Sequence, residues 1–329
     1  MLANSILKSL NELTAAAFHI FLWIILPLIS LWLPLYILCF TRFWPFMILY
    51  AIWFLYDLRT PTRGSRNWHW FKSLPLWKHF ANYFPIRLVK TAELPADRNY
   101  ILGCHPHGVL SISAFTHLCT YGTNFCDHFP GLEPNILTLN GQFWFPFRRE
   151  IGISLGGVES SATSLDYLLR SKTVGRIVGI VIGGAEEALD AHTGKHIVNL
   201  KCRRGFCKFA LRYGASLVPS YSFGENDVFH QAGNDRGTKL RAVQRKIKKL
   251  IGFCPPCFYG TGLFTTRFGL LPRRRPITTV FGAPITVEKC LNPTAEQVDE
   301  LHRTYVNALI VLFNTYKKEY DPDAEIHIV

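Results

Sequence analysis

The sequence predicts an α/β chain: a layered domain on a mostly parallel sheet, preceded by an N-terminal membrane hairpin. Three observations carry that prediction. Residues 15–40 contain no Asp, Glu, Lys or Arg, and as a helix they would reach about 39 Å, where a span needs only ~20 residues. Beyond residue 87, short apolar runs alternate with polar-faced helical patterns, as in a parallel sheet covered on both faces. Hydrophobic residues make up 49% of the 329 and aromatic residues 14%, a composition that points to lipid contact.

The formal charge of +13 favours anionic partners, a bilayer surface or a phosphorylated small molecule among them. Nucleic acid is set aside, because the cations sit beside apolar stretches and no zinc-finger, RNA-recognition or homeodomain signature occurs. The nine cysteines are odd in number and scattered, which reads as reduced thiols on the cytosolic side. Cys254-Pro-Pro-Cys257 has the spacing of a metal half-site, but Cys202 and Cys207 do not supply the second half, so no metal is expected.

In order, residues 1–14 form an N-terminal segment with one lysine and no cleavage signature, expected to be retained. Residues 15–56 form a transmembrane or re-entrant hairpin: the second apolar run, 43–56, gives only about 21 Å of helix. Pro27, Pro34 and Pro45 kink it, and Trp23, Trp32, Trp44 and Trp53 anchor it at the interface. Arg59, Arg63, Arg66, Lys72 and Lys78 follow, which by the positive-inside rule puts the rest in the cytosol. Residues 57–86 read as an interfacial connecting segment, since Asn67–Pro85 mixes tryptophans with lysines.

Residues 87–329 read as the catalytic domain. Strands are expected at 99–104, 136–139, 177–182, 197–200, 216–222 and 277–281, with helices near 158–171, 204–213 and 237–252. The helix at 237–252 carries Arg241, Arg245, Lys246, Lys248 and Lys249 around an apolar face of Leu240, Val243, Ile247, Leu250 and Ile251, suiting a membrane surface, a phosphate platform or a solvated face. A final helix starts at the capping box Thr294/Gln297.

Chemistry concentrates where the apolar strand 99–104 ends in His105-Pro106-His107-Gly108. An imidazole titrates near neutrality, so this HxH pair is a base with a helper, two metal ligands, or one working and one structural histidine. A second strand ends in Gly183-Gly184, where backbone can approach closely, followed by Glu186 and Glu187. A competing reading is Gly152-Ile153-Ser154-Leu155-Gly156, formally a nucleophile elbow, with Asp190 and His302 able to complete a serine-esterase order.

Taken together, several blocks resemble the acyl-CoA:diacylglycerol and monoacylglycerol acyltransferase family of the second type, which also includes wax-alcohol acyltransferases. They are Tyr83-Phe84-Pro85, His105 to Gly108, Gly183 to Leu189, Arg204-Gly205-Phe206, Val218-Pro219, Phe223-Gly224-Glu225-Asn226 and Pro276 to Val280. The resemblance implies the layered glycerolipid-acyltransferase-like fold and transfer of an acyl group from acyl-CoA, a co-substrate, with no cofactor. It implies catalytic His105, His107 and Glu187, the last paired with His107, and a site lined by Gly108, Gly183, Gly184, Arg204 and Asn226, with Arg204 on the donor phosphates. In the wider superfamily an Asp follows the histidine after four intervening residues; here Leu110 or Ile112 stands there, leaving the choice of histidine open. Relatives with phosphorylated acceptors carry an arginine in the counterpart of 183–189, and this chain has none, which implies an uncharged mono- or diacylglycerol, or a fatty alcohol. The implied location is the endoplasmic reticulum membrane and lipid droplets; no oligomeric state follows.

Overall fold

A computed structural model describes residues 2–170, 174–262, 265 and 268–329. Apolar runs pair into a seven-stranded sheet: β1 (Arg87–Lys90), β2 (Tyr100–His105), β3 (Glu133–Thr138), β4 (Gly157–Glu159), β5 (Arg176–Ile180), β6 (Ser216–Phe223) and β7 (Thr278–Phe281). Their spatial order is β1-β7-β6-β2-β5-β3-β4. The five strands from β6 to β4 run parallel, β7 is antiparallel to β6, and β1 follows β7. The expected α/β class with a mostly parallel sheet is therefore the observed one. A parallel sheet must be covered on both faces, and it opens its crevice at the carboxyl ends of its strands.

Strand periodicity assigns the two faces. Along β2, Tyr100, Leu102 and Cys104 enter one core, with Phe80, Phe115 and Ala15 from helices Pro75–Tyr83, Ile112–Cys119 and Leu2–Ile20. Ile101 enters the other core, with Leu165, Phe206 and Tyr305 from helices Ala162–Arg170, Gly205–Tyr213 and Ala295–Tyr320. Gly103 faces that second layer, and a Cβ there would stand 1.8 Å from the Tyr305 hydroxyl. The last helix has its Thr294/Gln297 capping box.

Some expected elements are reassigned. The run expected to open a helix at 158 begins as β4, because its first residues are paired with β3. The stretch 197–200 joins a separate ribbon, His196–Val198 beside Ile326–Ile328. The basic helix, Lys239–Ile251, turns Arg241 and Gln244 inward and leaves Val243 and Leu250 exposed, because Arg241 finds carboxylates in the body. Helix Pro75–Tyr83, expected at a membrane interface, buries Trp77, Phe80 and Tyr83 under the N-terminal helix; only Trp68 and Trp70 of that segment's tryptophans are exposed. Aromatic and basic composition cannot separate an interfacial helix from one covered by another helix.

Helix Asn4–Phe40 is long and apolar enough to cross a membrane, an 18-residue window within it having a mean hydropathy of 2.3. The stretch 12–22 is nonetheless part of the core: Ala15, Ala16, His19, Ile20 and Leu22 are buried, while Ile6, Leu7 and Leu10 before it are exposed. The exposed apolar hairpin comprises Leu26–Phe40 and Trp44–Tyr56, limbs of about 22 and 20 Å against a hydrocarbon core of ~30 Å. Both limbs lead back to the same body. Their base is tied down by ions and aromatics: Arg149 Nη1 bonds Asp57 Oδ2 and Glu150 Oε1, both at 2.9 Å, Arg66 also pairs with Asp57, and Arg149 lies over the Phe54 ring. Asp57 and Arg149 are 5% and 1% exposed.

Removing one partner of such a buried pair leaves an uncompensated charge. Asp57→Ala is expected to cost about 3 kcal/mol of stability, read as a lowered denaturation midpoint of the full chain in detergent. An unchanged midpoint would show that Glu150 alone suffices for Arg149.

Candidate active site

Three adjacent parallel strands deliver the site. β2 ends in His105, β5 runs on to Gly183-Gly184, and β6 runs on to Gly224-Glu225, so the loop after β2 lies between loops from both neighbours. Each neighbour contributes one buried carboxylate to that loop. Glu187 Oε1 accepts from the His107 backbone N–H at 2.6 Å, and its Oε2 accepts from the Asn199 N–H at 2.6 Å. On the other side, Glu225 accepts from the N–H groups of Ile112 and Ser113, at 2.8 and 2.9 Å, in the first turn of helix Ile112–Cys119. Burial pushes the Glu187 carboxyl up to about 7, although the two backbone donors pull it down. Glu225 is raised for the same first reason, with its donors from Ser113 and Ile112 opposing.

The glycines make room for these carboxylates. Gly108 has φ +63°, and a Cβ on it would stand 2.5 Å from Glu225 Oε1. At Gly183 a Cβ would stand 2.0 Å from Glu187 Oε2. Both are therefore packing partners of the clasping carboxylates. Gly184, also at positive φ, has nothing near its Cβ position and serves the turn alone.

The two histidines have different surroundings. His105 belongs to β2 and points with Gly103 into the C-terminal helix layer; it is wholly buried, with Nε2 3.1 Å from the Tyr305 hydroxyl and Nδ1 unbonded. Burial takes its pKa down to about 3, so it stays neutral. His107 lies beyond the strand and is part-exposed. Its Nδ1 is 2.8 Å from the Gly108 carbonyl oxygen and 3.3 Å from Ser111 Oγ. A carbonyl oxygen can only accept, so Nδ1 carries the ring proton. That leaves Nε2 with its lone pair free, and it has no partner among the described residues. Burial lowers the His107 pKa as well, while the bond to Gly108 opposes the shift.

This geometry corrects the expected pairing of Glu187 with the His107 imidazole. The carboxylate meets the backbone of His107, and the ring is oriented by the Gly108 carbonyl and Ser111 instead. Glu187 thus contacts main chain on both oxygens and does not touch the imidazole. Glu186 turns outward to Arg241, Arg245 and Lys248, at 2.9, 2.7 and 3.1 Å. Burial alone would raise its pKa, but these donors outweigh it and hold the carboxyl at about 2. Much of the charge expected on the basic helix is spent there.

Other expected residues are displaced from the reacting loop. Arg204 pairs with Asp299 on the last helix and bonds the Lys201 carbonyl, while its neighbour Arg203 reaches the Gly183 carbonyl at 3.4 Å. Asn226 donates to the Lys195 carbonyl at 2.7 Å and so braces a neighbouring loop. Ser154 ends helix Arg148–Ser154 and donates to the Glu150 carbonyl at 2.7 Å. A nucleophile elbow needs a strand before the serine; here a helix precedes it, Asp190 is tied to Arg241, and His302 is bonded to the Leu200 carbonyl. The serine-esterase reading does not survive. Nor does a metal site: among the described residues no three His, Cys, Asp or Glu side chains converge.

Sequence reasoning missed Glu225, Ser111 and Tyr305. Glu225 had a signal, a carboxylate just past a strand and a turn glycine; Tyr305 had none, being one of a stripe of core residues.

Over most of its length the chain is similar to acyltransferases. A family model described as diacylglycerol acyltransferase matches residues 36–329. Diacylglycerol O-acyltransferase 2 of Danio rerio is 46% identical over 289 residues, covering 88% of this chain and 80% of its own. The 2-acylglycerol O-acyltransferase 1 of Homo sapiens is 45% identical, with 82% and 81% covered. A solved 1-acyl-sn-glycerophosphate acyltransferase from Thermotoga maritima superposes with a TM-score of 0.42 at 11% identity, covering 95% of this chain and 96% of that one.

The glycine at 108 gives a direct test of the clasp. Gly108→Ala forces Glu225 aside and strains a positive φ, and activity is expected to fall ~100-fold or more, as a reacting group displaced by about 1 Å loses. Glu187→Gln replaces one acceptor with a donor facing an N–H and should lower kcat at least ~10-fold with KM little changed. A pure KM effect would place Glu187 on the substrate instead.

Proposed function

This chain belongs to the diacylglycerol acyltransferase family, and from that premise we propose that it transfers a fatty acyl group from acyl-CoA to the hydroxyl of a mono- or diacylglycerol. The products are di- or triacylglycerol and free CoA. The observation that carries the reading is the free Nε2 of a part-exposed, neutral His107 at the carboxyl end of the sheet. The acceptor hydroxyl gives its proton to Nε2 while its oxygen attacks the thioester carbonyl. The tetrahedral oxyanion then collapses, the C–S bond breaks, and the imidazolium returns the proton to the CoA thiolate. No covalent enzyme intermediate or metal is needed. The carbonyl of Gly108 plays the part that a carboxylate plays in a hydrolase triad, fixing the tautomer without adding charge.

The neutral-lipid assignment is supported by the absence of a cation from residues 183–189, immediately beside the loop. The nearest cation, Arg203, comes from the following loop and spends one N–H on the Gly183 carbonyl, at 3.4 Å. Delivery from a membrane is supported by the exposed apolar hairpin, whose limbs are too short to cross but long enough to insert. We place the body on the cytosolic side of the endoplasmic reticulum membrane, from the run of cations after the hairpin. Acylation of a fatty alcohol to a wax ester is the second reading, since the same base would serve either alcohol.

Membranes expressing the chain are expected to convert oleoyl-CoA and labelled diacylglycerol or monoacylglycerol to the next acylglycerol, and His107→Ala to abolish conversion. Because a lowered pKa keeps the base neutral at lower pH, the acid limb of kcat/KM should fall below pH 6.5, the ordinary histidine value. Full activity in His107→Ala would remove the mechanism, and wax ester as the dominant product would move the acceptor.

A further inference from the structure

At the base of the hairpin the same construction appears three times: an arginine of the body laid on an aromatic ring of the N-terminal segment. Arg66 lies over Trp53, Arg149 over Phe54 and Arg148 over Trp23, at 5.1, 4.6 and 4.5 Å. Two of the three are neutralised, by Asp57 and Glu150. Arg148 has no carboxylate within salt-bridge distance among the described residues. Its one hydrogen bond is from Nη1 to the Gln142 carbonyl, at 2.8 Å. It is 5% exposed, and its Nε is buried without a partner.

The surroundings hold further buried polar atoms without partners. Trp23 Nε1 and both ring nitrogens of His19 are buried and unbonded, and the two rings are 5.9 Å apart. Trp23 meets the edge of Phe115 and stands three residues before the exposed limb Leu26–Phe40. A buried cation without an anion is costly, and so are buried indole and imidazole nitrogens left without partners. Burial pushes the Arg148 guanidinium down to about 10, which still leaves it charged at neutral pH.

We propose that Arg148, with Trp23 and His19, seats the anionic headgroup of an acyl-bearing lipid, a carboxylate or a phosphate, at the junction of the hairpin and the catalytic body. Arginine binds both groups through paired N–H donors, and the indole and imidazole can supply further donors. The ligand arrives along the hairpin with its chains in the bilayer, so the seat rests on the reading of the hairpin as inserted in a membrane. It is separate from the reacting loop, where the neighbouring cation, Arg203, is exposed and bonded to the Gly183 carbonyl.

The test uses the full chain in neutral detergent, with oleate and dioleoyl phosphatidic acid as anionic probes and methyl oleate and dioleoylglycerol as neutral ones. At saturation at least one anionic lipid should raise the melting temperature by about 4 °C or more beyond its neutral analogue. Arg148→Met should lose that difference without lower stability in lipid-free detergent, since the unpaired charge is gone. Arg148→Lys should keep part of it. Lys246→Met, which removes an exposed cation elsewhere, should respond as wild type and so control for the overall positive charge. A response to oleate alone identifies the carboxylate, to phosphatidic acid alone the phosphate, and to both a seat indifferent to the source. Equal response to charged and neutral lipids in the wild type, or an undiminished anionic response in Arg148→Met, overturns the proposal. Acyl transfer measured on the same preparations separates the two readings: transfer without an anionic response sinks only the seat, and a response without transfer to any acceptor sinks only the proposed function.

Discussion

Everything at the site depends on two buried carboxylates that bind backbone. Glu187 and Glu225 arrive from the strands flanking β2, and together they take four N–H groups: one at His107, two at the start of the helix that follows it, and one at Asn199. A loop with left-handed φ at Gly108 and Ser111 would otherwise have several conformations open to it. Buried carboxyl oxygens have no water to compete for these N–H groups, so losing either acceptor would leave buried donors unpaired. His107 is thus held through its main chain, which leaves Nε2 of its imidazole without a partner among the described residues.

The division of labour between the histidines comes from the period of the strand. His105 is the last residue of β2 and must point to the side that Ile101 and Gly103 take, under Tyr305 in the C-terminal helix layer. His107 is past the strand, so the alternation no longer constrains it. One imidazole becomes part of a sealed core and the other reaches the crevice. The glycines of the motif follow the same economy of space: they are small because a glutamate occupies the volume a side chain would need.

The membrane side is organised by ion pairs under aromatic rings. A hairpin that contributes only apolar surface could slide or rotate on the body, and the arginines laid on Trp23, Trp53 and Phe54 fix its angle. Asp57 binds two of these arginines at the point where the chain leaves the hairpin, coupling the inserted element to helix Arg148–Ser154. Helix Pro75–Tyr83 packs on the long helix, and Ala15, Ala16, Ile20 and Leu22 of that helix join the core on one face of the sheet, so the segment leading into the hairpin is anchored in the body.

Read alone, the sequence was sufficient for the class of fold, the strand that ends in the histidines, the Thr294 cap and the apolar hairpin, because period and local capping are short-range properties. It also brought out His107, Gly108 and Gly183, whose residue types carry a local signal. What the carboxylates bind was decided only by tertiary structure. Glu186 and Glu187 are neighbours in the chain, yet one faces three cations and the other two backbone amides, and no local rule distinguishes them. The same holds for the uncharged run 15–40, half of which is core and half exposed: hydropathy records the wish to avoid water, and only the packing of Ala15, Ala16 and His19 against Phe80 decides whether protein or lipid satisfies it.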